Sequence, residues 1–215
     1  MLLSNKEINK KTLEKIKQKI KPKTKIMAVT KTLSIKAIES AIKNNVFLIG
    51  ESKVQETEKK IKNYKNRNKI KIHLIGHLQT NKVKKAVQLY DTIESVDTEK
   101  KANKINKEAE KLQKKQNIFL QINIGRDKNK FGFLEEDIQK VSEKVKNKKN
   151  ILLKGLMTIL PNNLNRKKQK ELYKKMRKIQ QEIYKKNKNC TEISMGMSND
   201  YEVASQNGST QIRIG

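Results

Sequence analysis

An α/β fold of the (β/α)8 TIM-barrel kind is predicted by three features of this 215-residue sequence. Short apolar runs of strand length recur along the whole chain, amphipathic lysine-rich stretches of helical period separate them, and no glycine-rich turn follows the first run. Strands buried on both faces read as near-continuous apolar runs, and their alternation with helices builds a parallel sheet. About eight such runs close a barrel. An open doubly wound sheet is the alternative, but it would place Gly-x-Gly-x-x-Gly after the first run, where Lys31-Thr32-Leu33 stands instead.

The elements follow in order. From Asn5 to about Ile20, the residues Ile8, Leu13, Ile16 and Ile20 fall at helical spacings among lysines, and Pro22 stops this helix. Ile26-Met27-Ala28-Val29-Thr30 is the first strand and ends in Lys31. Ser34 stands where an N-cap belongs for a helix carrying Ile35, Ile38, Ala41 and Ile42, which Asn44-Asn45 closes. Val46-Phe47-Leu48-Ile49 is the second strand; Glu51, Gln55 and Glu56 after it form either a polar cluster near a ligand or, the reading favoured, the first turn of a helix, where carboxylates favour the dipole. Ile70 to Gly76 precedes a helix near Thr80 to Leu89, and Asp91 to Val96 precedes one from about Thr98 to Gln116. Ile118 to Asn123 leads to a helix near Glu135 to Val145, and Ile151 to Met157 to one near Asn165 to Lys186. Thr191 to Met195, a short helix near Asp200 to Gln206, and Thr210 to Ile214 complete the count. With no linker or low-complexity tract in view, residues 1–215 are expected to form a single domain.

Composition narrows the function classes. The 51 Lys+Arg against 22 Asp+Glu give a formal charge of +29, which by itself points to nucleic acid. The lysines are spread rather than blocked and accompany abundant Asn and Ile, the signature of A+T-rich coding. Aromatic residues are only 4%, with no Trp and no stacking motif, so no specific nucleic-acid partner is expected. Cys190, the single cysteine, excludes an intrachain disulfide, and Asn189 and Thr191 beside it offer no base to activate the thiol. No signal-peptide core or membrane-length apolar run is present, so a cytoplasmic location and no membrane partner are expected. A monomer is the expected state. His73 and His77 have no Cys or third His nearby, and no metal site is expected.

In a barrel the informative residues stand at the strands' carboxyl ends, where the loops form a common mouth. Lys31 is placed there, either as an amine that forms an imine with an aldehyde or as a surface lysine closing a strand. Ser194-Met195-Gly196-Met197-Ser198 joins a strand to a helix through small residues that expose N–H groups and hydroxyls to a phosphate. Asn207-Gly208-Ser209-Thr210 is a second glycine-hydroxyl turn before the last strand. Ordinary caps and turns use the same residues.

The motifs Ala28-Val29-Thr30-Lys31-Thr32, Gly50-Glu51-Ser52-Lys53-Val54-Gln55-Glu56, His73-Leu74-Ile75-Gly76-His77-Leu78-Gln79-Thr80-Asn81-Lys82, Gly155-Leu156-Met157, Ser194-Met195-Gly196-Met197-Ser198-Asn199-Asp200 and Gly208-Ser209-Thr210 through Arg213-Ile214-Gly215 together resemble the pyridoxal phosphate homeostasis protein family. The likeness runs in order over nearly the whole chain. It implies a barrel like the amino-terminal domain of alanine racemase, holding pyridoxal 5′-phosphate (PLP) at its mouth. Lys31 matches the family's Schiff-base lysine. Ser194, Ser198 and the Gly208-Ser209-Thr210 turn match the part that holds the phosphate, with backbone donors around Gly215 helping, and Arg213 matches the arginine that faces the pyridine nitrogen. The implied role is to bind, store or pass on PLP, with PLP-dependent apoenzymes as partners, in vitamin B6 and amino-acid homeostasis. Ser52-Lys53 replaces the family's usual middle pair, and the chain stops at Gly215, where the family continues into a final helix. A PLP-dependent racemase or lyase is the alternative. An arginine at the ring nitrogen disfavours it, because Arg offers no acceptor for a ring proton.

Overall fold

Eight parallel strands close on themselves in the order β10-β3-β4-β5-β6-β7-β8-β9 in the computed structural model, which describes residues 1–4 and 7–215. The barrel strands are β3 (Lys25–Val29), β4 (Leu48–Glu51), β5 (Lys71–Leu74), β6 (Thr92–Val96), β7 (Gln116–Gln121), β8 (Ile151–Met157), β9 (Glu192–Ser194) and β10 (Gln211–Ile214). β10 pairs with β3 from Gln211↔Lys25 to Ile214↔Ala28, and Ser194 of β9 with Gln211, which closes the ring. The expected (β/α)8 barrel is therefore the observed one. Register shifts between Ile93 and Val96 and between Ile118 and Phe119 add local twist.

Two short strands, β1 (Leu3–Ser4) and β2 (Glu7–Ile8), form an antiparallel pair ahead of the barrel. The first helix thus starts later than its periodicity suggests. Helix α1 runs Lys10–Lys19, capped by the Asn9 side chain, which accepts from the Thr12 N–H at 3.0 Å. Ile8 belongs to the pair and donates its N–H to Ser40 Oγ, and Asn5, the expected start, lies outside the described residues. An Asx cap after a strand pair outcompetes helical period over the same residues.

The outer layer comprises α2 (Ile35–Lys43), α3 (Val54–Ile61), α4 (Val83–Leu89), α5 (Glu99–Lys111), α6 (Ile138–Lys146), α7 (Arg166–Lys186) and α8 (Tyr201–Gln206). Each buries one stripe, as α2 does with Ala37, Ile38 and Ala41 while Lys36 and Lys43 of that helix stay in water. Ser34 stands at the α2 cap without a side-chain bond, and Asn45, in the left-handed region at φ 59°, turns the chain away as expected. α5 ends at Lys111 rather than near Gln116, because Gln113 takes a positive φ of 50°. Gln116 instead opens β7 and donates its side-chain amide to the Tyr90 and Asp91 carbonyls. Strand residues such as Ile49, Ile72, Ile93, Leu120 and Ile212 are fully buried, each contributing about 1.5–3 kcal/mol. Among the described residues no helix is long and apolar enough to cross a membrane.

Candidate functional site

A cavity of about 430 Å³ opens at the carboxyl ends of the barrel strands, within the size range of small-molecule sites. Lys31, Ser198, Arg213 and Gly215 line it, with His77 and Phe131 on the facing wall. Five strands, β3, β5, β7, β9 and β10, and the segments that follow them supply these groups, so the barrel itself sets their spacing. Gly76 is required in this wall: a Cβ there would lie 2.3 Å from the Ser52 carbonyl oxygen.

Lys31 follows β3 and is exposed into the cavity, and its amine has no protein partner among the described residues. The residues on either side of it are tightly held. Thr30 is fully buried; its N–H donates to the Gly50 carbonyl at 3.1 Å and its hydroxyl to Glu51 Oε1 at 2.6 Å. Lys60 on α3 is buried and donates to the Thr30 carbonyl at 2.9 Å and to Glu51 Oε1 at 2.5 Å. Thr32 has φ 64°, a left-handed conformation that costs a β-branched residue about 1–3 kcal/mol, and its N–H donates to Glu56 Oε1. Burial pushes the Glu51 carboxyl above its ordinary value, although Lys60 and Thr30 draw it back, and its Oε2 has no partner among the described residues. Glu56 stands in the first turn of α3, as expected, whereas Glu51 is the last residue of β4; together they form the polar cluster that holds the turn carrying Lys31.

On the adjacent strand β10, Arg213 is buried at 4% exposure yet reaches the cavity. Its Nη1 donates to Ser194 Oγ and its Nη2 to the Thr158 carbonyl, both at 2.7 Å. Desolvation lowers its pKa, partly offset by Glu94, Tyr173 and Asp200. A guanidinium has five N–H donors, so two bonds leave others for a ligand. Ser194 is fully buried and serves Arg213 rather than facing the cavity. The following turn is set by Gly196 at φ 91°, and by Asp200, whose Oδ1 accepts from the Met197 N–H at 2.5 Å. Asp200 Oδ2 accepts from the Tyr173 hydroxyl at 2.6 Å. Burial and the Asp200 charge push the Tyr173 phenol upward, so it stays protonated and donates. This brace holds Ser198, whose side chain is exposed toward the cavity.

The facing wall comes from the loop after β7. Phe131 stacks on His77 with ring centroids 3.8 Å apart and planes at 23°. Asn123 holds the loop through its side chain, bonding the Asp127 N–H and the carbonyls of Asp127 and Lys130. Desolvation and the nearby Lys101 ammonium lower the His77 pKa against the pull of Asp97, so the ring is neutral at pH 7.

The sequence of this chain matches, over residues 8–215, the family described as "Alanine racemase, N-terminal domain". It is 36% identical over 195 residues to a Synechocystis protein named pyridoxal phosphate homeostasis protein, covering 90% of this chain and 89% of that one. The chain belongs to the pyridoxal phosphate homeostasis protein family. A member from Aquifex aeolicus is 33% identical over 192 residues, covering 89% and 84%. The solved structure of PipY from Synechococcus elongatus, described as having PLP bound, superposes with a TM-score of 0.88 at 29% identity, over 95% of this chain and 96% of that one. An alanine racemase from Clostridium difficile, at 18% identity and a TM-score of 0.75, shares the fold over 94% of this chain and 53% of its own length.

Within that family frame, the expected site residues separate into two groups. Lys31, Ser198, Arg213 and Gly215 meet at one cavity, and Ser194 stands directly behind Arg213. Gly208, Ser209 and Thr210 do not reach it. They precede β10, and the Thr210 carbonyl accepts from Lys25 N–H at the start of β3, the opposite end of that strand from Lys31. Ser209 Oγ is spent on the Met195 and Gln211 carbonyls and Thr210 Oγ1 on Ile193, so this turn fastens β9 to β10. A glycine-hydroxyl turn reads alike at either mouth; only its place before the strand tells which mouth it serves. His77 lines the cavity, whereas His73 lies inside the barrel with Nδ1 2.6 Å from Glu94 Oε1. Cys190 is buried, with its thiol pushed up to about 12, and is no nucleophile.

Proposed function

We propose that this protein binds pyridoxal 5′-phosphate in the cavity between Lys31 and Arg213, and keeps it for PLP homeostasis without turning over amino acids. The reading rests chiefly on one observation: an amine and a Ser198 hydroxyl, both without protein partners among the described residues, face the same cavity as a buried guanidinium. When bound, PLP supplies an aldehyde that condenses with amines and a pyridine ring that draws electron density. Lys31 is the amine to which it would be tied. Ser198 and the backbone near Gly215 would hold the phosphate, and Arg213, with Lys130 at the rim, supplies positive charge that favours an anion. Arg213 would also donate to the ring nitrogen.

A donor-only partner keeps that nitrogen unprotonated and weakens the ring as an electron sink. Among the described residues, no tyrosine and no carboxylate lines the cavity to exchange a proton with a substrate carbon. Both features favour retention over turnover, with PLP-dependent apoenzymes as the recipients. The relatives' names carry the same role.

Purified protein should show the visible absorbance band of lysine-bound PLP, and Lys31→Ala should lose it. Incubating the loaded protein with a panel of amino acids should give no stereoinversion or elimination at enzyme-like rates. Turnover in the wild type that Lys31→Ala abolishes would replace this reading with the racemase or lyase alternative.

A further inference from the structure

The Lys31 side chain is a flexible four-carbon stem whose head group bonds nothing in the protein among the described residues. Its amine can therefore be aimed only from its own backbone. That backbone is gripped on both sides by one ionic cluster from β4 and α3. Lys60 holds the carbonyl of the preceding residue, Thr30, at 2.9 Å, and Glu56 holds the N–H of the following residue, Thr32. Lys60 bridges the two carboxylates, at 2.5 Å to Glu51 Oε1 and 3.4 Å to Glu56 Oε1. We infer that Glu56 and Lys60 are positioning residues for Lys31: together they hold the Thr30–Thr32 turn so that the amine stands in the cavity ready for an aldehyde.

Fold stability alone does not account for this arrangement. α3 already docks through Val54, Thr57 and Ile61, and a buried ion pair is seldom more stabilising than an apolar pair of the same size. The cluster also leaves Glu51 Oε2 buried without a partner among the described residues. What it obtains in return is a β-branched residue held at positive φ beside the reactive lysine. Such strain persists only where the surroundings over-determine it, and it gathers at ligand sites.

The inference rests on the reading of Lys31 as the PLP-accepting amine, and the test separates the two. Four proteins are compared: wild type, Glu56→Ala, Glu56→Gln and the double variant Lys60→Met/Glu51→Gln, in which no buried charge is left unpaired. Two readouts are taken. One is the rate at which Lys31 captures added PLP, fixed by borohydride and located by peptide mapping. The other is hydrogen exchange of the peptide spanning residues 30–33. Glu56→Ala and the double variant should raise exchange in that peptide while the rest of the barrel stays protected, and should slow capture about tenfold or more. Glu56→Gln keeps an acceptor for the Thr32 N–H and should restore both readouts to within about threefold of wild type. Wild-type capture rates, or unchanged exchange at residues 30–33, in both disrupted proteins would overturn the inference. If wild-type Lys31 captures no PLP, the cofactor reading fails. Exchange at residues 30–33 then still decides whether the cluster holds the turn.

Discussion

Lys60 shows how much a single buried charge can decide. Its ammonium is the donor to Glu51 Oε1 and the Thr30 carbonyl, in a place where its side chain is only 5% exposed. Lys60→Met should therefore destabilise the protein by about 3–5 kcal/mol, because it strands the Glu51 carboxylate. Adding Glu51→Gln should recover most of that loss, since the remaining amide still accepts from Thr30. Urea denaturation of the two variants would measure the difference. Equal stability of single and double variants would mean that Glu51 is not charged in the fold. The Glu56–Lys60 spacing of four is visible in the sequence, but the role of Glu51 depends on β4 lying beside β3 and could not be read locally.

At the scale of elements, α7 and the turn after β9 depend on each other. Tyr173 is buried in the middle of α7 and reaches Asp200, which also ties down the Met197 N–H. Tyr173→Phe keeps the packing but leaves Asp200 Oδ2 without its donor, and should cost about 1–3 kcal/mol. The same change should weaken phosphate binding at Ser198 more than it weakens the rest of the barrel. Thermal unfolding with and without added PLP would compare the two effects, and an unchanged melting temperature in both would contradict the brace. The periodicity of the strands and of most helices was legible because it repeats over many residues. The start of α1 was not, since a two-residue strand pair and the Asn9 cap override an equally periodic stretch. Nor was the place of Gly208-Ser209-Thr210, whose residue types suit an anion site and a strand fastener alike. Tyr173 looked like one more helix residue, and nothing near it in sequence names its distant partner.

For the whole molecule, the dominant fact is a formal charge of +29 on 215 residues. Most ion pairs among the described residues have at least one exposed partner and contribute little individually. Like-charge repulsion across the surface opposes compaction, so salt should stabilise this protein. Between about 20 mM and about 300 mM sodium chloride the Debye length falls from about 20 Å to about 6 Å, and the melting temperature should rise by several degrees. A fall over that range would show that attractive pairs outweigh the net field. The same field would draw phosphorylated ligands toward the mouth without selecting among them. Selection is left to the cavity, where Lys31, Ser198, Arg213 and Gly215 converge from separate parts of the chain.

With 51 Lys+Arg in the chain, specificity for one lysine is the sharpest demand the account makes. Protein equilibrated with a single equivalent of pyridoxal 5′-phosphate, reduced with borohydride, digested and mapped by mass spectrometry measures it directly. The account predicts the pyridoxyl group on the peptide carrying Lys31 in nearly all labelled molecules. Label scattered over surface lysines, or absent from Lys31, would contradict it.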